Sequence, residues 1–430
     1  MKSKKMPRIA IALVAAATAA TALAACGNNN DDGTSGDTAT LTWWHNMNTD
    51  PGLSYWQGVV ADYEAAHDGV KIDMQVYQSE DLRNKLKTAL QSADAPDLFQ
   101  QWGGGELRDQ VEAGFVKDIT SDVAAELAVI GSGNAAGWQV DGKTYGLPFT
   151  LGIEGIYYNK DLFEQAGITA VPTTLPELDA AIAKLKEAGI TPISLGGQDS
   201  WPAGHWYYNF ALRECSTATM TETGGSLDFS DPCWEKAASD LKAFAETEPF
   251  NDGWITTSAQ QGAGSSAGML ANTQVAMELT GIWESGVVGS LTPDQKVPEF
   301  LGWFPFPSIS GGKGDPTAAM AGGDGFSCHT QAPPECVDFL KYILSDAVQE
   351  GYAATGSVPS NPNAYTGLTE PLLQDITDQA KSVKFTQLWM DVAFGNNVGT
   401  AINTSTVALL QGQLSAADFV KALQDAAATA

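Results

Sequence analysis

Twelve tryptophans and 51 carboxylate side chains set the chemistry open to this chain of 430 residues. Flat aromatic rings stack on the C–H faces of sugars, and Asp, Glu, Asn, Gln or Arg pair with ring hydroxyls. The useful candidates stand where short apolar runs end. Trp43, Trp44 and His45 close one such run, Gln101 and Trp102 close another, and Glu80 follows a third. Alternation along a strand sends Trp43 and Trp44 to opposite faces, so at most one of them reaches a ligand, and Trp44 and His45 are the candidates. Hydrolysis of a glycosidic bond is the competing chemistry. It needs two carboxylates flanking the bond, and an acidic chain supplies such pairs readily. No Gly-x-Ser-x-Gly or His-Glu-x-x-His motif occurs, and the four His at 45, 67, 205 and 329 are scattered. Gly322, Gly323 and Gly325 could offer backbone N–H groups, but no Lys-Ser or Lys-Thr pair follows them as in a phosphate loop. No cofactor, metal or catalytic residue is assigned.

The elements that must position these residues alternate. Strands are expected at 40–45, 70–77 and 96–101, with helices at 53–66, 79–91 and 106–113 between and after them. That alternation implies an α/β layer with a largely parallel sheet, whose ligands bind beyond the carboxyl ends of the strands. A turn at Asp141-Gly142 and extended chain at 147–158 follow. Helices are then expected at 175–188, 206–212, 234–247 and 266–271, with strands at 192–195 and 275–279. The remaining helices fall at 334–344, 346–355, 386–394, 399–411 and 415–427. About 400 residues after the N-terminal segment exceed one ordinary core, so two domains are expected.

The N-terminus bears on the compartment. Lys2, Lys4, Lys5 and Arg8 precede an apolar run from Ile9 to Thr21, too short to span a bilayer and expected to be a signal peptide over 1–25. Leu23-Ala24-Ala25-Cys26-Gly27 resembles a bacterial lipobox, which implies a diacylglyceryl group on Cys26; plain cleavage after Ala25 is the alternative. Residues 26–39 then read as the lipidated cysteine and a polar, flexible tether. Loss of the four leader charges takes the formal charge from −28 to about −32, which argues against nucleic acid. Four cysteines remain. An even count in an exported chain suggests disulfides, and local spacing favours Cys215 with Cys233 and Cys328 with Cys336 among three possible connectivities, with free thiols as the alternative.

Several segments, in one order, resemble the extracellular solute-binding proteins of sugar ABC importers, the group that includes maltose-binding protein. They are the lipobox, Asp94-Ala95-Pro96-Asp97-Leu98-Phe99, and Gly142-Lys143-Thr144-Tyr145-Gly146-Leu147-Pro148 followed by Tyr157-Tyr158-Asn159-Lys160. Pro172 to Leu178, Met277 to Trp283 and the helix Pro334 to Gln349 continue the series; Leu175 stands where the family usually has Trp. The resemblance covers roughly residues 40–430.

It implies a two-lobed periplasmic-binding-protein-like α/β fold with three interlobe crossings, near 148–152, 279–283 and 320–325. Lobe 1 would take 40–148 and 284–322; lobe 2 would take 149–283 and 323–430. Glycines near each crossing suit hinges. Trp283 stands where family members stack on sugar, and Trp389 falls in the C-terminal helix whose Trp stacks in maltose-binding protein. Trp102, Trp201, Trp206 and Trp254 join them as aromatic candidates, while Glu80, Glu154, Gly323 and Asp324 are the polar ones. Trp56, Trp138, Trp234 and Trp303 are assigned to packing. The implied function is capture of an oligosaccharide by closure and delivery to the importer's membrane subunits. The protein would be a monomer held by its lipid on the outer face of the cell membrane. Xylo-oligosaccharides head the candidate ligands, suggested by the Trp201 to Cys215 segment. A secreted glycoside hydrolase and a binder of a non-sugar solute remain the alternatives.

Overall fold

A computed structural model describes residues 39–131 and 133–429. The signal peptide at 1–25, Cys26 and the tether up to residue 38 lie outside the described residues; residue 39 already opens a strand. Fourteen strands follow in order: β1 Ala39–His45, β2 Val70–Val76, β3 Leu98–Gln101, β4 Gln139–Val140, β5 Lys143–Thr144, β6 Leu147–Pro148 and β7 Gly152–Ile153. The rest are β8 Gly155–Asn159, β9 Thr191–Ile193, β10 Val275–Thr280, β11 Leu301–Phe304, β12 Ala319–Gly322, β13 Gly325–Cys328 and β14 Thr386–Leu388.

The first sheet has the order β2-β1-β3-β13-β6 and the second β11-β8-β10-β9, one for each lobe of the α/β fold. A three-stranded sheet, β14-β12-β7, accompanies them, and β4 pairs with β5 around the expected turn. In the first sheet β1 runs parallel to β2 and β3, but β13 and β6 are antiparallel. The sheet is therefore mixed, not largely parallel. The parallel strands arise from the alternating N-terminal segment, and the antiparallel ones belong to chain returning from elsewhere.

Local sequence accounts for most elements. In β1, Leu41, Trp43 and His45 point into the core while Thr40, Thr42 and Trp44 alternate outward. The helix Ser79–Ala89 buries Leu82 and Leu86 on one face, and its Gln78 cap accepts from the N–H groups of Glu80 and Asp81. The helix Leu175–Glu187 opens with a capping box between Thr174 and Glu177. The helix Trp201–Glu214 is almost wholly buried, and its polar side chains His205, Asn209 and Arg213 are each hydrogen-bonded inside the fold. One expected element differs. Residues 386–394 form β14, paired in parallel with β12, then a single turn of helix at Met390–Ala393. Strand pairing overrides local helical spacing there, and Trp389 stands between the two elements instead of on a helix.

The lobe boundaries also differ. Residues 284–322 were expected with the first sheet, yet β11 pairs with β8 of the second. Residues 323–430 were expected with the second, yet β13 pairs with β3, and the helix Pro334–Ile343 packs on β1. The crossing expected at 279–283 joins two strands, β10 and β11, that both pair with β8. The chain instead passes between sheets at 149–154, at 323–324, and again between the helices Asp346–Ala353 and Pro371–Ala380, the first packed on Gly52–Ala66 and the second on β11 and β7.

These three passages are bonded side by side. The N–H groups of Phe149 and Thr150 donate to the Asp324 carbonyl at 2.9 and 3.3 Å. Thr150 Oγ1 donates to the Val358 carbonyl at 2.6 Å, and Ser360 N–H donates to the Phe149 carbonyl at 3.0 Å. A Cβ on Gly323 would stand 1.8 Å from the Thr150 carbonyl oxygen, so only glycine fits that close approach. Both expected disulfides are present, Cys215–Cys233 and Cys328–Cys336. Trp56, Trp138, Trp234 and Trp303 are buried in packing, as expected.

Candidate functional site

The carboxyl ends of β1, β2 and β3 lie along one edge because the three strands are parallel. The residues just beyond them, Asn46, Met47, Ser79, Glu80 and Trp102, line one side of a cleft of about 150 Å³ that opens to solvent. The rest of the lining includes Trp201, His205, Gln260, Trp283 and Trp389, and Asp391 bonds to Arg83. Strand polarity thus converts three separate sequence positions into one wall.

The second wall is aromatic. Trp283 follows β10 and meets Trp389 edge-on, ring centroids 5.5 Å apart at 64°. Trp201 packs against Trp283 at 6.0 Å and 70°. Such edge-to-face contacts fix each ring against its neighbours. His205 lies within this cluster, 5.0 Å from Trp201 and 6.2 Å from Trp389.

The first wall is polar around one aromatic. Trp102 Nε1–H donates to Asp324 Oδ1 at 2.7 Å, and Gln100 Nε2–H donates to the same oxygen at 2.6 Å. Burial pushes the Asp324 carboxyl up to about 6, against the pull of the Trp102 bond and the Arg83 charge. The Arg83 guanidinium lies over the Trp102 ring, 4.7 Å from its centroid, and its Nη1–H donates to Asp391 Oδ2 at 2.8 Å. Glu80 and Glu106 lie 3.9 and 4.0 Å from the same guanidinium. Asp391 is held below the usual carboxylate range: burial opposes its charge, but Arg83 and then His205 outweigh it. Burial raises Glu106 to about 7, and it raises Glu80 as well.

Of the residues expected at the site, Trp283, Trp389, Trp102, Trp201, Glu80 and Asp324 are brought together in the lining. Six others are not. His45 is fully buried, 4.3 Å from Trp43, with its basicity lowered to about 3 by burial. Trp44 turns to the other face of β1 and packs on Tyr77 at 5.4 Å. Trp206 stacks on Phe244 at 5.1 Å inside the core, because five residues along a helix from Trp201 is the far face. Trp254 packs against Phe250 and Gly197. Glu154 lies behind the lining, bonded to His205, and Gly323 serves the crossing through its backbone.

Among the lining residues missed are Asn46, Ser79, Arg83, His205, Gln260 and Asp391. Two carried a usable signal. Arg83 stands three residues after Glu80, and His205 four after Trp201, so each shares a helix face with a residue already singled out. Among the described residues, no three His, Cys, Asp or Glu side chains converge as a metal-binding group, and no helix is long and apolar enough to cross a membrane.

Comparison with known proteins agrees with this geometry. The profile of the bacterial extracellular solute-binding proteins matches residues 48–350. The multiple sugar-binding protein of Streptococcus mutans is 26% identical over 81% of this chain and 80% of its own length. The diacetylchitobiose binding protein DasA of Streptomyces coelicolor is 25% identical over 86% and 90%. A structure from work on xylan utilization by the thermophilic bacterium Caldanaerobius polysaccharolyticus superposes with a TM-score of 0.82 at 24% identity. It covers 90% of this chain and 99% of that one. The chain belongs to the bacterial extracellular solute-binding protein family.

Proposed function

We propose that this protein captures an oligosaccharide in the cleft, closes on it, and delivers it chemically unchanged to an ABC importer. The observation that carries the reading is the pairing of walls: Trp201, Trp283 and Trp389 on one side face Trp102 and its carboxylate-rich surroundings on the other. Rings for C–H faces and acceptors for hydroxyls are what a sugar requires. A solute touching both walls shifts an open–closed equilibrium by its extra affinity for the closed state. The hydrogen-bonded passages at 149–154, 323–324 and 357–360 supply the axis of that motion. The names of the sugar-binding relatives support the same class of ligand.

Hydrolysis is the less favoured reading because two cleft carboxylates are already engaged, Asp391 by Arg83 and Asp324 by Trp102 and Gln100. Xylo-oligosaccharides remain first on the list of candidate ligands. The protein is proposed to work outside the cell, tethered through lipid on Cys26; mass spectrometry of the native N-terminus tests this, and an unmodified Cys26 would remove the anchor. A thermal-shift panel of xylo-, chito- and galacto-oligosaccharides tests the function. A true ligand at 100 times its Kd stabilises by about 2.7 kcal/mol. The sugar should be recovered intact; shortened products would establish hydrolysis instead.

A further inference from the structure

His205 stands one turn after Trp201 on the helix Trp201–Glu214, so both project from one face. Its Nδ1 lies 2.8 Å from Oε1 of Glu154. The Glu154 side chain is wholly buried and takes no part in the cleft lining, whereas His205 does. The two ring nitrogens occupy different corners of the imidazole. A ring that aims Nδ1 backward at Glu154 therefore turns the edge bearing Nε2 toward the cleft. Nε2 makes no hydrogen bond with another described residue.

The ring is held on every side. Trp389 lies nearly parallel to it at 6.2 Å and 21°, Trp283 crosses at 6.4 Å, and Tyr208 lies 5.2 Å away. Glu154 is fixed in turn by its backbone N–H, which donates to the Met320 carbonyl at 2.9 Å. A carboxylate only accepts hydrogen bonds, so the proton shared with it belongs on Nδ1. In neutral imidazole that leaves a lone pair on Nε2. A buried carboxylate behind a histidine is a general device for setting tautomer and ring angle.

We propose that Glu154 is a positioning residue that fixes the Nδ1–H tautomer of His205, and that Nε2 accepts a hydrogen bond from a ligand hydroxyl between the tryptophans. The assignment rests on the oligosaccharide reading and adds to it. It makes His205 an acceptor specific for a hydroxyl, since a ring oxygen or a carbonyl offers no proton there.

The test is ¹⁵N-histidine NMR on the full protein, with the His205 signals identified by their loss in His205→Gln. In the pH range where the imidazole is neutral, free wild type should show Nδ1 protonated and Nε2 bare. Glu154→Gln, with unchanged circular dichroism, should lose that single tautomer. Calorimetry with xylotetraose, chitotriose and raffinose then follows on wild type, His205→Gln and Glu154→Gln. Any sugar of the three that binds should shift the wild-type Nε2 resonance and bind each folded variant about three- to tenfold more weakly. An Nε2–H tautomer in free wild type overturns the proposal, as does unchanged affinity in folded His205→Gln. If none of the sugars binds wild type, the oligosaccharide reading fails and the hydroxyl acceptor role with it. The tautomer in the free protein still decides the role of Glu154 separately.

Discussion

Arg83 and Asp391 form an ion pair at 2.8 Å, joining the helix Ser79–Ala89 to the turn after Trp389, more than 300 residues later in the chain. Arg83 is the one arginine or lysine in the cleft lining, and it is already matched by Asp391, Glu80 and Glu106. It has no charge to spare for a ligand anion, and an anionic ligand would face Glu80 and Asp391 at low dielectric. A uronate-bearing oligosaccharide should therefore bind at least about tenfold more weakly than its neutral parent, a step of about 1.4 kcal/mol. Calorimetry on matched pairs measures this. Tighter binding of the acidic member would show that Arg83 is released to the ligand.

Stability should fall as the solution is made alkaline. Burial pushes Glu284 up to about 8 and Glu106 up to about 7, and Glu278 is raised by burial and by its neighbour Glu284. An acid with a raised folded-state pKa keeps its proton in the native chain after the unfolded chain has lost it. Its stabilisation is complete below the ordinary value of 4.5 and is lost as pH rises through the folded value. Asp391 acts the other way, its contribution lost only in acid as pH falls below the usual carboxylate range. Tm should thus decline between pH 5 and pH 8. Glu284→Gln should flatten the decline and exceed wild type at pH 8. A Tm rising steadily across that interval would contradict the raised titration of Glu284, Glu278 and Glu106.

Gly323→Ala should disturb the passage between lobes without touching the cleft lining. Its Cβ would meet the Thr150 carbonyl at 1.8 Å, and the backbone there is bonded to Asp324. Overpacking of this kind typically costs about 1–3 kcal/mol. The folded variant should also show a ligand-free scattering profile different from wild type. Unchanged Tm and scattering would mean that this strand has room to move.

The disulfides should matter unequally. The Cys215–Cys233 link closes a separation of 18 residues and the Cys328–Cys336 link one of 8. The longer loop restricts the unfolded chain more, by about 3 kcal/mol against a smaller value for the shorter. Cys215→Ser with Cys233→Ser should lower Tm more than the matching change at 328 and 336. The reverse order would show that native packing around Cys336, whose sulfur contacts the Asp97 carbonyl, outweighs loop entropy.

Much of the frame was legible because it is local. Helical spacing in 79–89, alternation in β1 and the loop lengths between cysteines depend on neighbours in sequence. What failed depended on partners far away. β11 is four residues long, and nothing within Leu301–Phe304 says that it pairs with β8 and not with the first sheet. Thr386–Leu388 becomes a strand only because β12 is there to receive it. At the site, a strand end led to Trp102 and the family resemblance to Trp283, and both side chains line the cleft. The strand end misled at Trp44 and His45, where the face taken by each side chain decides, and the cleft begins one residue later at Asn46. Arg83 and Asp391 were invisible as a pair for the same reason that they matter: each completes the other across the fold.

The central claim is that sugar is held on the tryptophan wall, and Trp283→Ala tests it most directly. The ring lines the cleft beside Trp201 and Trp389 and is partly exposed, so the fold should survive its loss. Stacking contributes about 0.5–1.5 kcal/mol beyond area burial, and lost contact adds to it. Isothermal calorimetry of wild type and variant with the best-binding oligosaccharide, circular dichroism serving as the control for folding, is the measurement. The account expects at least a tenfold loss of affinity in a folded variant, about 1.4 kcal/mol. Equal affinity in a folded Trp283→Ala would place the ligand elsewhere and contradict it.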